Sequence, residues 1–415
     1  MSTRPVFETS PADSIETRDA SRSRTGPFDR WLLGRIVRGF RPARIRFRLW
    51  DGTELSASDA APAGTVIFRE RRALLDFARD PELQFGEGYA AGRIEVNGDL
   101  VGVLEEGIRA GLARPKRARR PRVHSLRSSR VNARRHYDVG NDFYTLWLDR
   151  EMVYTCAYFD SPETTLEEAQ RAKMDYVCRK VGLTPGMAVV EAGCGWGALA
   201  LFMARHYGVT VKAYNVSAEQ MLWARRRAQE EGLADRVEFL EEDYRAIRGT
   251  FDAFVSVGML EHVGRENYPV LGDVIARCLK PQGRGLVHFI GRDRTEPLNS
   301  WMERRIFPGA YPPTLAEVLE GVLETGRLSA IDVENLRLHY AKTARAWRTR
   351  FEAALAFVTA RFGESFARAW HLYLAGSEAA FAAGSLQLFQ IAFARSGMNG
   401  VPWTRAPLYA ADGNR

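Results

Sequence analysis

The chain has 415 residues, of which 46% are hydrophobic and 27% are charged, a composition typical of globular proteins. Because single hydrophobic cores stop growing at about 250–300 residues, this length predicts two domains. No run of 18 apolar residues occurs, and four cysteines without a CxxC pair disfavour disulfides and a zinc site. The formal charge of +8 predicts an anionic partner, either nucleic acid or an acidic lipid surface.

The N-terminal part of the chain predicts a disordered segment followed by a small domain. Residues 1–27 are polar and lack the apolar segment of a secretory signal, so we expect a disordered lead-in and a cytoplasmic protein. In residues 28–112, the alternation in RIRFRLW predicts a half-exposed strand that turns at Asp51-Gly52, and helical spacing follows. We therefore predict a small α+β domain over this range.

Residues 113–135 form a basic stretch with ten lysines and arginines and no acidic residue. Its prolines and serines disfavour a regular helix. We predict an interdomain linker, which is either simply solvated or an electrostatic tether to anionic headgroups or nucleic acid.

Residues 136–410 predict a second domain of the α/β class. AQRAKMDYVCRKVGL predicts a helix that ends at Gly182, and five later segments predict strands: MAVVEA, VTVKAY, VEFLEEDY, FDAFVSV and GRGLVHFIG. Strands that alternate with helices indicate a parallel, doubly wound sheet with ligands at the carboxyl ends of its strands. The apolar segments FEAALAFVTARF and WHLYLAGSEAAFAAGSLQLFQIAFA predict C-terminal helices.

Three glycines follow the first predicted strand of this sheet. Gly193, Gly195 and Gly197 precede a helix, where glycine lets the backbone turn sharply and approach a ligand. The GxGxG pattern differs from the GxGxxG of dinucleotide enzymes. After the acidic Glu191 it resembles motif I of class I methyltransferases, in which the methionine part of S-adenosylmethionine lies over the loop. A purely structural turn is the alternative.

Further candidates for this pocket follow the second and third strands. Gln220 is the group nearest to the expected ribose hydroxyls, and the Asn215–Ser217 backbone is expected to line the pocket. After the third strand, Asp243 and Tyr244 are candidates for the adenine amino group. A surface role is the alternative for Asp243.

Five motifs occur in an order and at spacings that resemble the cyclopropane-fatty-acid synthase family and its mycolic acid cyclopropane synthase and methyltransferase relatives. They are HYDVGNDFYTLWLDREMVYTCAYF, EAGCGWG, SAEQ, SVGMLEHVG and LVHFIG. The resemblance covers residues 135–400, and FGEGYAAGRIEVNGDL extends it into a module that resembles a lipid-binding domain. It implies a class I methyltransferase (Rossmann-like) fold and transfer of a one-carbon unit from S-adenosylmethionine to the double bond of an unsaturated acyl chain in membrane phospholipid.

The resemblance also implies a bound bicarbonate. Attack of an alkene on the sulfonium methyl group produces a carbocation, and ring closure requires a base, which in this family is understood to be bicarbonate. Its oxygens need hydrogen-bond donors and its hydroxyl needs an acceptor. The matching positions are Cys156, Tyr340 and His288 as donors, Glu261 as acceptor and the backbone of Ile290. Alternatives are a buried apolar role for Cys156, a loop cap for His288 and a helix N-cap for Glu261.

Aromatic rings near the site are expected to stabilise the sulfonium or the carbocation. Tyr137 and Tyr154 lie in the matched motifs and are our candidates, although most large aromatic residues belong to cores. By the resemblance, Thr155 and Trp196 also line the cofactor pocket.

Two positions depart from the family pattern. Glu191 stands where Asp is usual, and Asn215 stands where Thr is typical. Both positions concern the cofactor pocket, and they suggest a side branch of the family. The product is either a cyclopropane or a methylated olefin, since deprotonation at another carbon gives the olefin.

The predicted partner is unsaturated phospholipid in an anionic membrane, with the protein bound peripherally at the inner face. A homodimer is expected only because relatives form one. A rival from another class is a nucleic-acid-binding methyltransferase that uses residues 113–135 on phosphates. The absence of an NPPY-type motif and of aromatic residues within the basic stretch disfavours it. A catalytically silent lipid-binding protein is the third possibility.

Overall fold

The computed structural model describes residues 24–112 and 139–409. The predicted basic linker, Tyr137 and most of the predicted N-terminal segment therefore lie outside the described residues. Within the described ranges, no helix is long and apolar enough to cross a membrane. The predicted domain boundaries stay predictions.

Helices and strands are numbered separately in chain order. The helices are α1 (Pro27–Phe40), α2 (Arg71–Arg79), α3 (Pro81–Ala90), α4 (Leu100–Leu112), α5 (Asn141–Tyr144), α6 (Leu166–Val181), α7 (Ala198–Tyr207), α8 (Ala218–Glu230), α9 (Tyr268–Cys278), α10 (Ser300–Arg305), α11 (Leu315–Val318), α12 (Arg337–Ala353), α13 (Leu355–Phe362), α14 (Glu364–Ala383) and α15 (Ala406–Tyr409). The strands are β1 (Ile45–Arg48), β2 (Glu54–Ser56), β3 (Gly64–Phe68), β4 (Ile94–Gly98), β5 (Ala188–Ala192), β6 (Thr210–Tyr214), β7 (Val237–Leu240), β8 (Phe251–Val257), β9 (Leu279–Gly291), β10 (Leu328–Asn335) and β11 (Gln387–Arg395).

The described residues divide into two compact units, each built from separate stretches of chain. The first comprises residues 24–112, Leu298–Pro308 and Ala344–Ser385, and the second comprises 139–297, Gly309–Thr343 and 386–409. The first unit therefore includes two segments that follow the predicted small domain in the sequence.

The first unit contains a four-stranded sheet in the order β2-β1-β3-β4. Strands β1 and β2 are antiparallel, so the strand and the turn predicted around Asp51-Gly52 are confirmed. Helix α1 buries an apolar face that includes Leu33 and Val37 in a core with Phe47 and Phe68 of the sheet. This core holds the unit together because burial of apolar area dominates folding free energy.

The later segments of the first unit pack on its helices. Helix α14 lies along α4 and α3, and α10 lies against α3. A Cβ atom added to Gly86 would lie 2.4 Å from the ring of Trp301 on α10. Arg305 of α10 donates to the carboxylate of Glu87 at 2.7 Å. The absence of a side chain at Gly86 therefore permits the close approach of α10 to α3.

The second unit contains a seven-stranded sheet in the order β10-β11-β9-β8-β5-β6-β7. Strands β5 to β9 pair with one another in parallel, which confirms the five predicted strands. Helices α7, α8 and α9 connect them as predicted, except that a short 3-10 turn joins β7 to β8. Helix α6 begins with a capping box formed by Thr165 and Glu168 and ends at Gly182, as predicted. Apolar cores cover both faces of this sheet.

The prediction that the C-terminal apolar segments are entirely helical is wrong. Strand β11 pairs antiparallel with β9, and β10 pairs antiparallel with β11, so the sheet is mixed rather than purely parallel. Eight consecutive residues of β11, from position 387 to 394, are buried. A strand that is buried on both faces has no polar alternation, so its pattern does not distinguish it from a buried helix.

We predict that Gly86→Ala destabilises the protein by about 2–3 kcal/mol, because the new methyl group collides with Trp301. Alanine is otherwise the better helix former by about 1 kcal/mol. Gly107→Ala in α4 is the matched control, since its Cβ would meet its nearest atom at 3.8 Å. Denaturant unfolding measures both changes. A Gly86→Ala variant as stable as the control would contradict the packing of α10 on α3.

Candidate active site

The carboxyl ends of four parallel strands meet at one edge of the large sheet. β5 lies between β6 and β8, and β9 follows β8. Glu191 and His288 lie near the carboxyl ends of β5 and β9, and Asn215 and Glu261 follow β6 and β8. The sheet topology therefore gathers residues that are up to a hundred positions apart, at the edge where doubly wound sheets bind ligands.

The glycine loop after β5 is held against the end of β6. The backbone N–H groups of Gly193 and Cys194 donate to the carbonyl oxygen of Tyr214 at 2.8 and 3.1 Å. Gly197 has φ of +85°, and a Cβ there would lie 2.7 Å from Phe239. A Cβ on Gly195 would meet no atom within 4 Å in the described residues. The loop is therefore packed on one side and open at Gly195.

Glu191 is the penultimate residue of β5 and is only 2% exposed. Its Oε2 atom has no hydrogen-bond partner in the described parts of the chain. Burial raises the pKa of Glu191 to about 8, and the nearby Lys173 opposes that rise. A buried carboxyl with a free oxygen is suited to a cationic ligand group, because a positive charge stabilises its ionised form.

Asn215 connects the glycine loop to helix α8. Its Nδ2 atom donates to the carbonyl of Gly195 at 3.2 Å and to Oε1 of Gln220 at 2.8 Å. Ser217 is the N-cap of α8 and accepts from the backbone N–H of Gln220 at 3.5 Å. The structure thus brings the predicted Asn215, Ser217 and Gln220 together beside the loop.

Asp243 and Tyr244 follow β7 in a short 3-10 turn. The carboxylate of Asp243 accepts from the guanidinium of Arg245 at 3.1 and 3.2 Å. The hydroxyl of Tyr244 is buried and has no hydrogen-bond partner in the described residues. Binding of adenine by these two residues stays a prediction.

Aromatic side chains form a cluster beside the glycine loop. The Trp196 indole N–H donates to Oδ1 of Asn141 at 2.7 Å, and its ring lies 5.0 Å from that of Tyr144. The predicted Tyr154 lies 5.6 Å from Tyr144 and 5.2 Å from Trp147, measured between ring centroids. These contacts fix the aromatic side of the site.

His288 lies on β9 and is 2% exposed. Burial lowers its pKa well below the ordinary value, and the positive charges of Lys173 and Lys180 lower it further, so the ring is neutral. The amide nitrogen of Gln390 lies 3.0 Å from Nδ1. With Nδ1 as acceptor, the ring proton is on Nε2, which has no partner among the described residues.

Glu261 lies in a 3-10 turn after β8 and is 6% exposed. The backbone N–H of Ile290 donates to Oε1 at 2.6 Å, whereas Oε2 has no partner in the part of the chain described here. Burial raises the pKa of Glu261 to about 7, and the Ile290 hydrogen bond limits that rise. Ile290 therefore orients the carboxylate through its backbone.

Cys156 and Tyr340 both approach the carbonyl oxygen of Leu336 at the start of α12. The Cys156 thiol is fully buried, 3.2 Å from the carbonyl of Ala157 and 4.0 Å from that of Leu336. The backbone N–H of Tyr340 donates to the same Leu336 carbonyl at 3.2 Å. Burial raises the pKa of the thiol, so it stays protonated and acts as a donor rather than a nucleophile.

Two residues of α6 lie beside the candidate site residues and were not identified from the sequence. Lys173 is 2% exposed and donates to the hydroxyl of Thr155 at 2.9 Å, while Gln170 donates to the Thr155 carbonyl at the same distance. Burial lowers the pKa of Lys173 to about 8, and Asp149, Cys156 and Glu191 oppose that shift. The available signal was a lysine and a glutamine within the buried stripe of an amphipathic helix.

Known protein families and relatives match most of this chain. The family model described as mycolic acid cyclopropane synthetase matches residues 124–391, and a domain of unknown function matches residues 35–111. A probable fatty acid methyltransferase of Pseudomonas putida is 36% identical over 381 residues, covering 88% of this chain and 96% of that protein. Cyclopropane-fatty-acyl-phospholipid synthase of Escherichia coli (strain K12) is 36% identical over 373 residues, covering 86% of this chain and 94% of that protein.

A solved structure agrees with the sequence relatives. Mycolic acid cyclopropane synthase CmaA1, complexed with SAH (S-adenosylhomocysteine) and CTAB, is 29% identical to this chain with a TM-score of 0.60. The match covers 64% of this chain and 97% of that one. The class I methyltransferase (Rossmann-like) fold and the family resemblance predicted from the motifs are both confirmed.

We predict that Lys173→Met weakens the binding of S-adenosylhomocysteine about tenfold at pH 7.5. Lys173 lowers the pKa of Glu191, so its loss raises that pKa above about 8 and leaves less ionised carboxylate to attract the ligand ammonium group. Calorimetric titration between pH 6.5 and 9 measures the affinity and its pH dependence.

The control for this variant is Lys212→Met, which removes a lysine that is 48% exposed from the same sheet. We expect that variant to bind like the wild type. If Lys173→Met folds and shows an unchanged affinity for S-adenosylhomocysteine with an unchanged pH profile, the prediction that Lys173 acts on Glu191 electrostatically is wrong.

Proposed function

This chain belongs to the mycolic acid cyclopropane synthetase family, and on that premise we propose that it converts unsaturated acyl chains of phospholipids into cyclopropane fatty acids. It is an S-adenosylmethionine-dependent methyltransferase. The observation that carries the proposal is a set of buried polar atoms, Glu191 Oε2, Glu261 Oε2 and His288 Nε2, each without a partner among the described residues. Buried polar groups are normally paired, so these atoms indicate ligands.

S-adenosylmethionine fits the first part of the site and, when bound, supplies the methyl group. The Glu191 carboxylate is suited to its ammonium group, and the open side of Gly195 leaves room for the ligand above the loop. Gln220, held by Asn215 at 2.8 Å, is proposed to bind the ribose hydroxyls. Asp243 and Tyr244 are proposed to bind the adenine ring.

Bicarbonate fits the second part of the site. Glu261 Oε2 could accept a hydrogen bond from a hydroxyl and His288 Nε2–H could donate one to an anionic oxygen, so an anion with one hydroxyl would match both unpaired atoms. The hydroxyl proton of a bound bicarbonate would be shared with the Glu261 carboxylate, which would otherwise be repelled by the anion. When bound there, bicarbonate would supply the base for the methyl proton. The Cys156 thiol and the Tyr340 hydroxyl are proposed as further donors.

Exclusion of water supports chemistry through a carbocation. Cys156, Glu261, His288 and Tyr340 are all 8% exposed or less. A buried site keeps bulk water from capturing a cationic intermediate, and it strengthens each electrostatic contact. The aromatic cluster around Tyr154 is proposed to add stabilisation by ring faces.

A methylated olefin is the second candidate product. It is favoured by the similarity to a probable fatty acid methyltransferase, which is as identical as the cyclopropane synthase. The same residues serve both reactions, because the products differ only in the carbon that loses its proton.

We further propose that the enzyme is cytoplasmic and acts at the inner face of the membrane. The support is the phospholipid in the name of the Escherichia coli relative and the net charge of +8, which favours anionic surfaces.

The test is proton NMR of lipid after incubation of the protein with S-adenosylmethionine, bicarbonate and vesicles of unsaturated phospholipid. We expect upfield ring protons and loss of the vinyl signal. A new methyl signal with surviving vinyl protons would instead support the olefin product. Unchanged lipid, with S-adenosylmethionine bound, would contradict the proposed function.

We predict that turnover falls as the pH decreases through about 7, because Glu261 is then protonated and no longer accepts from the bicarbonate hydroxyl. In Glu261→Gln, turnover should be about 100-fold lower and this pH dependence should disappear. Initial rates at constant bicarbonate concentration measure both effects. Affinity for S-adenosylhomocysteine is the control and should change less than about twofold. Lost affinity with normal residual chemistry would refute the assignment of Glu261.

A further inference from the structure

We propose that the exposed face of α1 is the surface through which the first unit docks on an anionic lipid bilayer. The face consists of Phe28, Trp31, Arg35 and Arg38. This inference rests on the proposed function, since a phospholipid substrate requires contact with a membrane.

Helical spacing places these four residues on one side of α1. They are separated by three, four and three positions, which is the spacing of neighbours along a helix surface. The opposite side carries Leu32, Leu33, Ile36 and Val37, all of which are buried in the core of the unit. The core is therefore complete without the two aromatic side chains of the exposed face.

The aromatic half of the face is strongly exposed. Phe28 and Trp31 are 51% and 52% exposed, and their ring centroids lie 5.7 Å apart. The guanidinium of Arg35 lies 5.9 Å from the Trp31 ring. Isolated exposed apolar residues are common, but an adjacent aromatic pair beside an arginine is typical of helices that lie in the membrane interface.

The positive charge of this face indicates an anionic partner. Its exposed arginines, with the neighbouring Arg30, are not balanced by acidic residues of α1. The one acidic residue of this helix, Asp29, is 4% exposed and accepts from Arg71 at 2.8 Å. A surface that combines aromatic rings with unbalanced positive charge is complementary to anionic headgroups above an acyl layer.

The experiment measures binding of the full chain to vesicles of phosphatidylcholine with and without phosphatidylglycerol, in the absence of S-adenosylmethionine. We expect the pair Phe28→Ser and Trp31→Ser to weaken binding at least about tenfold on both vesicle types. The pair Arg35→Gln and Arg38→Gln should weaken binding about tenfold on the anionic vesicles only and reduce its salt dependence. Residues 113–135 are unchanged in every variant, so their contribution cancels.

The matched control is Leu222→Ser, which removes an apolar side chain that is 67% exposed on α8, between Glu219 and Arg226. It should bind vesicles within about twofold of the wild type. In sedimentation analysis, the α1 variants should keep the oligomeric state of the wild type. A changed oligomeric state would identify a second copy as the occupant of the face and overturn the proposal.

Other outcomes separate this inference from the proposed function. If the α1 variants bind anionic vesicles like the wild type, the docking surface is wrong. If they lose binding to single-stranded nucleic acid but not to vesicles, the occupant is nucleic acid and the proposal is also wrong.

On detergent-dispersed phospholipid the variants should keep wild-type turnover. Absence of turnover in the wild type contradicts the proposed function, whereas reduced vesicle binding of the variants still supports the docking surface.

Discussion

Burial of the Lys173 ammonium group is the constraint on which the active site depends. A charge that is 2% exposed requires nearby oxygens and carboxylates, because an isolated charge in the interior is very unfavourable. Lys173 meets this requirement through Thr155 and through its electrostatic interaction with Asp149 and Glu191. In return it lowers the pKa of both Glu191 and His288. The position of one helix thus influences the protonation states of residues on two strands.

The site retains polar atoms that the fold itself does not pair. A buried polar atom without a partner costs about 1–3 kcal/mol, and such a cost persists where a ligand provides the missing hydrogen bond. Burial separates the titrations of the groups involved: the pKa is about 7 for Glu261 and about 8 for Glu191, whereas His288 is neutral. The buried edge of the large sheet therefore offers two carboxyl groups as acceptors and the His288 ring as a donor. This combination suits a cationic ligand group that lies beside an anion.

Local sequence patterns predicted the helices and strands that have one buried and one exposed face. Helix α6 was predicted to end at Gly182 and does so in the left-handed conformation, and the strand before the glycine loop is β5. Strand β11 was predicted as helix because burial on both faces removes the alternation that identifies strands. The packing of Trp301 against Gly86 was not predicted either, since it joins segments more than two hundred residues apart.

The sequence by itself determined the family, the α/β class and the residue types of the cofactor loop, because these depend on short motifs and on the period of apolar residues. Only the tertiary structure decided which polar groups meet. Gln390 faces His288 because β11 pairs with β9 in that register, and Lys173 reaches Thr155 because α6 packs beside the strand ends. Neither pairing leaves a local pattern, since the register and the packing of distant elements depend on the burial of whole faces rather than on neighbouring residues.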